Sequence, residues 1–192
     1  MKINKPVLNL IILLVTLLLI FAALSLFESF PLLKSKQNRI IKEFGIVLPQ
    51  GNFTHGIDVS KHQGTIDWKR VAEMRGQNKK IDFVFIKATE GITRTDQQFS
   101  KNWKGAANNN LIRGAYHFYY PSRDAKKQAQ NFTKNVILKK GDLPPVIDIE
   151  LSNGKTKKTI VKDLETMCNE LEQHYGVQPI IYTNLHFYET FL

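Results

Sequence analysis

The chain has 192 residues, of which 43% are hydrophobic, 10% aromatic and 23% charged. This globular composition excludes collagen-like, disordered and disulfide-stapled classes, and the single cysteine, Cys168, excludes internal disulfides and cysteine-rich zinc or iron–sulfur sites. The formal net charge of +10 suits an anionic polymer or a membrane surface, while no finger spacing or aromatic RNA-binding signature points to nucleic acid as a partner.

Residues 1–6 form a short tail. Residues 7–27 carry no charged side chain, and only Asn9, Thr16 and Ser25 interrupt the apolar run. A helix of about 20 residues matches a hydrocarbon core of about 30 Å, whereas a cleavable signal has an apolar stretch of about 7–15 residues. We therefore read 7–27 as one N-terminal transmembrane helix, an uncleaved signal anchor. Ala23-Leu24-Ser25 has the small-x-small shape of a cleavage site, and cleavage there would give a secreted product. Lys2 and Lys5 precede the span, and Lys34, Lys36, Arg39 and Lys42 follow it. That balance does not itself place the C-terminal part outside. Residues 28–53 are polar and basic, with Pro31, Pro49 and Gly51 as breakers. They read as a linker with a short helix near residues 36–44.

From residue 54 onward, short apolar runs alternate with helix-period segments. Residues 56–60 are a strand. Asp67 caps a helix through Trp68, Val71, Ala72 and Met74. Residues 82–88 form an aromatic and β-branched strand. A helix follows near Asp96 with Phe99, Trp103, Ala106 and Ala107 on one side, stopped by Asn108-Asn109-Asn110. Residues 112–119 are a third strand. Ser122 is the expected cap of the next helix, in which Ala125, Ala129, Phe132 and Val136 share a face. Pro144-Pro145 opens a strand over 146–150. Ile160, Leu164, Met167, Leu171 and Tyr175 recur at helical spacing up to Gly176, and Cys168 packs within that helix. Residues 179–183 are a fifth strand. Such alternation implies an α/β fold with a parallel sheet covered by helices, as a barrel or an open sheet, with functional groups at the carboxyl ends of the strands.

Acids occupy those ends. Asp58 lies in the first strand, Glu90 ends the second, and Asp148 and Glu150 end the fourth. Residues two apart on a strand share a face, so Asp148 and Glu150 point the same way and Ile149 the other. Two close carboxylates in a dry site cannot both ionise easily, so one pKa rises. A raised carboxyl is a general acid usable near neutral pH, as glycoside cleavage requires. Aromatics end the third strand, with Tyr116 and Phe118 on one face and His117 and Tyr119 on the other, and Tyr182 ends the fifth. Such rings can stack on sugars. The five histidines lack ligand spacing, and the motifs call for no metal and no cofactor.

The segments GIDVSKHQG, FVFIKATEG, RGAYHFYYPS, PPVIDIE and PIIYTN resemble, in order, those of glycoside hydrolase family 25, the muramidases of the N,O-diacetylmuramidase (lysozyme) type. The resemblance covers residues 54–192. It implies a TIM-like β/α-barrel variant with fewer helices than strands. It also implies hydrolysis of the β-1,4 bond between N-acetylmuramic acid and N-acetylglucosamine. Carried over by position, Glu150 matches the general acid/base, Asp148 the carboxylate that steers the substrate's own acetamido nucleophile, and Asp58 the strand-one acid. Glu90, Tyr116 and Tyr182 match substrate-binding positions. Gly76 sits further from the second strand than the family pattern has it, and Arg94 stands where an aromatic or leucine is usual. Members run on for several tens of residues past the YTN segment, so the barrel is expected to be incomplete at its C-terminal side. The expected partner is peptidoglycan glycan on the outer side of the membrane. The alternative is a catalytically inactive, membrane-anchored wall-glycan-binding protein, and a related glycan such as chitin is a third reading.

Overall fold

The computed structural model describes residues 4, 5, 14–22, 25, 39–41, 46–48, 53–76 and 79–192. They fall into two units, residues 1–52 and residues 53–192. In the first unit, residues 14–22 are helical, and large apolar side chains such as Leu18 and Phe21 are exposed. This stretch lies inside the expected 7–27 span, the rest of which falls almost wholly outside the described residues. Among the described residues no helix is long and apolar enough to cross a membrane. The helix expected near 36–44 is replaced by an antiparallel pair, β1 (Arg39–Ile41) and β2 (Ile46–Leu48). The cause is local: Ile40, Ile41, Ile46 and Val47 are β-branched, and such side chains lose rotamer freedom in a helix but fit a strand.

The second unit is built on a sheet whose path is β10-β9-β8-β6-β3, with β7 paired to β6. These strands are β3 (Gly56–Val59), β6 (Phe83–Glu90), β7 (Arg94–Thr95), β8 (Ile112–Phe118), β9 (Val146–Asp148) and β10 (Ile180–Tyr182). The pairs along the path are parallel and β7 is antiparallel. Among the described residues β3 and β10 form the two ends of the path and do not pair. The connection from β3 to β6 carries a small antiparallel pair, β4 (Arg75–Gly76) and β5 (Lys79–Lys80).

The helices are α1 (Trp68–Glu73), α2 (Phe99–Asn108), α3 (Ala125–Asn135), α4 (Lys157–Tyr175) and α5 (Leu185–Phe191). Asp67 caps α1 by accepting from Arg70 N at 3.1 Å. That helix stops at Glu73, one residue before Met74, whose ψ of 126° is extended. Ser122 does not cap α3. Arg123 N bonds the Tyr120 carbonyl at 2.9 Å, which keeps Ser122 in a turn, and the Asp124 carboxylate accepts from Lys127 N at 2.7 Å. An acid at that position also offsets the positive end of the helix dipole. Gly176 ends α4 with φ +69°, a conformation in which a Cβ is strained.

Burial follows the two periods. Ala125, Ala129, Phe132 and Val136 are buried on α3, and Ile160, Leu164, Met167 and Leu171 on α4. On the sheet, Val59, Val84, Ile86, Ala115, Ile147 and Ile149 form the covered face. Cys168 is only half-buried. Arg113, stacked 4.1 Å over Trp103, pairs with Asp142 at 2.8 Å and ties the start of β8 to the loop before β9. The helix-covered face leaves the opposite face of the same strands to form a cleft.

Candidate active site

Strand register decides which side chains meet. Asp58 lies beside Phe85, Phe85 beside Gly114, and Lys87 beside Tyr116. Tyr116 lies beside Val146 and Phe118 beside Asp148, and Tyr182 lies beside Asp148. Because side chains alternate, these residues share the face away from the helices. A Cβ at Gly56 would overlap the Phe83 ring, and one at Gly114 the Phe85 ring, so the glycines make room for the two rings, which pack edge to face with centroids 5.7 Å apart. The resulting pocket of about 240 Å³ is lined by Asp58, Tyr116, Asp148 and Tyr182 over an apolar floor of Phe83 and Phe85.

The acids are electrostatically coupled. Burial, then the neighbouring Glu150 and also Asp58, pushes the Asp148 carboxyl up to about 7, with Lys87 acting against the rise. Asp148 Oδ1 is buried and has no hydrogen-bond partner among the described residues, an arrangement that costs free energy unless a ligand supplies a donor. β9 ends at Asp148, shorter than the expected 146–150 strand, but Ile149 N still bonds the Tyr182 carbonyl at 3.0 Å and Ile149 is fully buried. Burial and the fields of Asp58, Asp148 and Asp96 push the Tyr116 phenol up, with the Ser60 side chain acting against the rise. The Tyr182 phenol is likewise pushed up by burial, Glu150, Asp148 and Asp58. Asp58, Tyr116, Asp148 and Tyr182 thus line one pocket, and Glu150 lies near enough for its field to act on Asp148 and Tyr182.

Glu90 is placed apart from them. Its carboxylate accepts from Lys87 Nζ at 2.7 Å, Arg94 Nη1 at 2.9 Å and the Tyr120 hydroxyl at 3.2 Å, and it does not line the cleft pocket. Lys87, which the motif reading passed over, is the basic residue of the site. It sits 4.6 Å over the Phe118 ring and lowers the pKa of Asp148. The alternation rule alone would have found it, since Lys87 shares the face of Phe83 and Phe85. Asp96 is structural, accepting from Lys61 N at 3.0 Å and Gln98 N at 2.9 Å. Among the described residues no group of His, Cys, Asp and Glu is arranged to hold a metal ion.

Behind the cleft, buried His117 braces β8. Gln128 Nε2 donates to the carbonyls of Tyr120 and Arg123, so Gln128 Oε1 accepts from His117 Nε2 at 3.1 Å. His117 Nδ1 then accepts from the Thr89 hydroxyl at 2.7 Å, leaving the ring neutral. Burial pushes its pKa down to about 4. Between pH 6.5 and 4 the unfolded chain therefore binds more protons than the folded one, and stability falls as pH falls through that window. The loss from this group is about 3 kcal/mol. Urea unfolding at pH 7 and pH 4 should show His117→Asn losing less stability than wild type between the two; equal losses would refute the assignment.

The sequence model of Glycosyl hydrolases family 25 matches residues 57–192. Uncharacterized protein YegX of Escherichia coli K12 is 42% identical over 152 residues, 79% of this chain and 56% of that protein. N,O-diacetylmuramidase of Arthroderma benhamiae is 33% identical over 138 residues, 67% of this chain and 57% of that protein. The chain thus spans little more than half the length of these relatives. A family 25 glycosyl hydrolase from Bacillus anthracis has the same α/β fold, with a TM-score of 0.66 at 36% identity, covering 74% of this chain and 70% of that one. With this match across nearly all of the second unit, the chain belongs to glycosyl hydrolases family 25.

Proposed function

We propose that the chain is a muramidase that hydrolyses the β-1,4 bond between N-acetylmuramic acid and N-acetylglucosamine in peptidoglycan. The observation that carries this reading is Asp148, which lines a pocket with Asp58 above Phe83 and Phe85 and whose carboxyl is raised to about 7 by burial and by neighbouring Glu150 and Asp58. In this reading the sheet is part of a β/α-barrel variant, and residues 7–27 anchor the chain with the cleft outside the membrane.

In the free chain burial and the neighbouring acids keep a proton on Asp148 up to a pH of about 7. A bound acetamido N–H, donated to the unpartnered Asp148 Oδ1, favours the ionised form of Asp148. The proton that Asp148 gives up passes to Glu150, the general acid of this reading. Glu150 then protonates the leaving glycosidic oxygen while the substrate's acetamido oxygen attacks the anomeric carbon and the C–O bond breaks. Asp148 carries the negative charge beside the resulting oxazolinium. Water attacks that ion, Glu150 takes the proton, and the acetamide is restored with one water consumed. Because the substrate supplies its own nucleophile, no carboxylate of the chain forms a covalent bond to the sugar.

Incubating the purified chain with peptidoglycan and reducing the new ends should yield N-acetylmuramitol. N-acetylglucosaminitol would indicate a different bond. Pull-down with peptidoglycan but no new ends would favour a wall-binding protein. Cleavage of chitin at a comparable rate would overturn the substrate assignment. Protease digestion of intact cells tests the outer placement, which protection of the second unit until lysis would refute.

A further inference from the structure

A second cavity of about 470 Å³ opens at the carboxyl ends of β6 and β8, lined by Glu90, Arg94, Tyr120, Ser122, Arg123 and Asn153. None of Asp58, Asp148 and Glu150 lines it. It adjoins the cleft through two shared supports. Lys87 reaches from the cleft face to Glu90, and Phe118, beside Asp148 in the sheet, packs edge-on to Tyr120 at 5.5 Å. Asn153 lies three residues past Glu150, so the segment that carries Glu150 continues to the wall of this cavity.

Its electrostatics differ in sign from the cleft. Glu90 is the only acid in the lining, and it is satisfied by Lys87, Arg94 and the Tyr120 hydroxyl. Arg123 contributes a further positive charge. Among the described residues its bonds run through its backbone alone: its N–H to the Tyr120 carbonyl, and its carbonyl to Gln128 Nε2 at 3.2 Å. Gln128 is fully buried and also accepts from Tyr120 N at 2.9 Å, so the turn that carries Arg123 is fixed while its guanidinium is uncommitted. A guanidinium on a rigid turn, next to a second one and a phenol, is suited to a planar carboxylate.

We propose that this cavity is a subsite for a carboxylate carried by the glycan, with Arg123 as its primary contact and Arg94 as its second. The proposal rests on the muramidase reading, because muramic acid bears its substituents through a lactyl ether. The carboxylate is either the free lactyl group or that of an attached peptide.

Calorimetric titration of the full chain separates the cases without requiring turnover. The probes are muramoyl dipeptide as acid and as amide, and N-acetylmuramic acid against N-acetylglucosamine. The acid of at least one pair should bind about tenfold tighter than its neutral counterpart, a preference that weakens with salt. The dipeptide pair reports a peptide carboxylate and the monosaccharide pair a lactyl one. Arg123→Gln should abolish the preference, and Lys126→Gln, which removes the same charge from an ion pair with Glu170, should keep it. Equal binding within both pairs, or a preference that survives Arg123→Gln, overturns the subsite. An Arg123-dependent preference in a chain that cuts no glycan keeps the subsite and refutes the muramidase reading instead.

Discussion

Glu150→Gln should lower release of reducing ends from peptidoglycan by about 10²–10⁴-fold, the usual contribution of a positioned general acid. Gln keeps the size and the hydrogen-bonding edge of the side chain but has no proton to give at neutral pH. The same change removes a negative neighbour of Asp148, whose pKa should then fall from the vicinity of 7. Carboxyl NMR titration of the variant therefore checks adjacency independently of turnover. Glu150 is outside the core, so the fold should survive, as circular dichroism can verify. Turnover within threefold of wild type would remove Glu150 from the acid role. An unmoved Asp148 titration would break the coupling on which the proposed mechanism depends.

That coupling explains the distribution of charge. The covered face of the sheet is mostly apolar, and the ionisable His117 on it is held neutral in a network with Thr89 and Gln128, while the acids of these strands lie toward the cleft or in ion pairs. Lys87 acts on both. Its ammonium is bonded to Glu90 and its field moderates Asp148, so that carboxyl is raised but not silenced. Were Lys87 free of Glu90, it would neutralise Asp148 more fully and depress the pKa that the chemistry needs.

Much of this was legible in the sequence because two simple periods govern it. Alternation correctly divided Tyr116 and Phe118 from His117 and Tyr119: Tyr116 lines the cleft and His117 is buried behind it. Helical spacing correctly picked the buried faces of α3 and α4. What failed was what depends on competition between neighbours. Ser122 and Asp124 both fit a helix cap, and the Tyr120–Arg123 turn, pinned by Gln128, selects Asp124. Residues 36–44 contain charged residues compatible with a helix, and the pairing of β1 with β2 selects strands. Glu90 carries the right residue type at the right strand end, yet the sequence does not reveal that a bulge between Lys87 and Thr89 accompanies its pairing with Lys87 and Arg94. The register shift belongs to tertiary structure, because it is set by the partner strand β8.

Asp148→Asn separates activity from stability. Turnover should fall by about 10²–10³-fold, the scale of losing one preorganised electrostatic contact to a developing charge, because Asn cannot balance the positive oxazolinium. Stability should move the other way. The folded pKa of Asp148 is about 7, above its unfolded value near 3.9. The folded chain therefore holds more protons between those values, and this group's contribution to stability is greatest below pH 4 and is lost as pH rises through 7. Asn is uncharged throughout and escapes that loss. At pH 8 the variant should exceed wild type by about 1–2 kcal/mol once screening by water at the half-exposed site is allowed for, and at pH 4 the difference should vanish. Urea unfolding at the two pH values measures it. The gain at pH 8 requires an ionised carboxylate confined beside Glu150 and Asp58. A variant less stable than wild type at pH 8 would mean that Asp148 is a structural acceptor, and its unpartnered Oδ1 could then no longer be assigned to the acetamide.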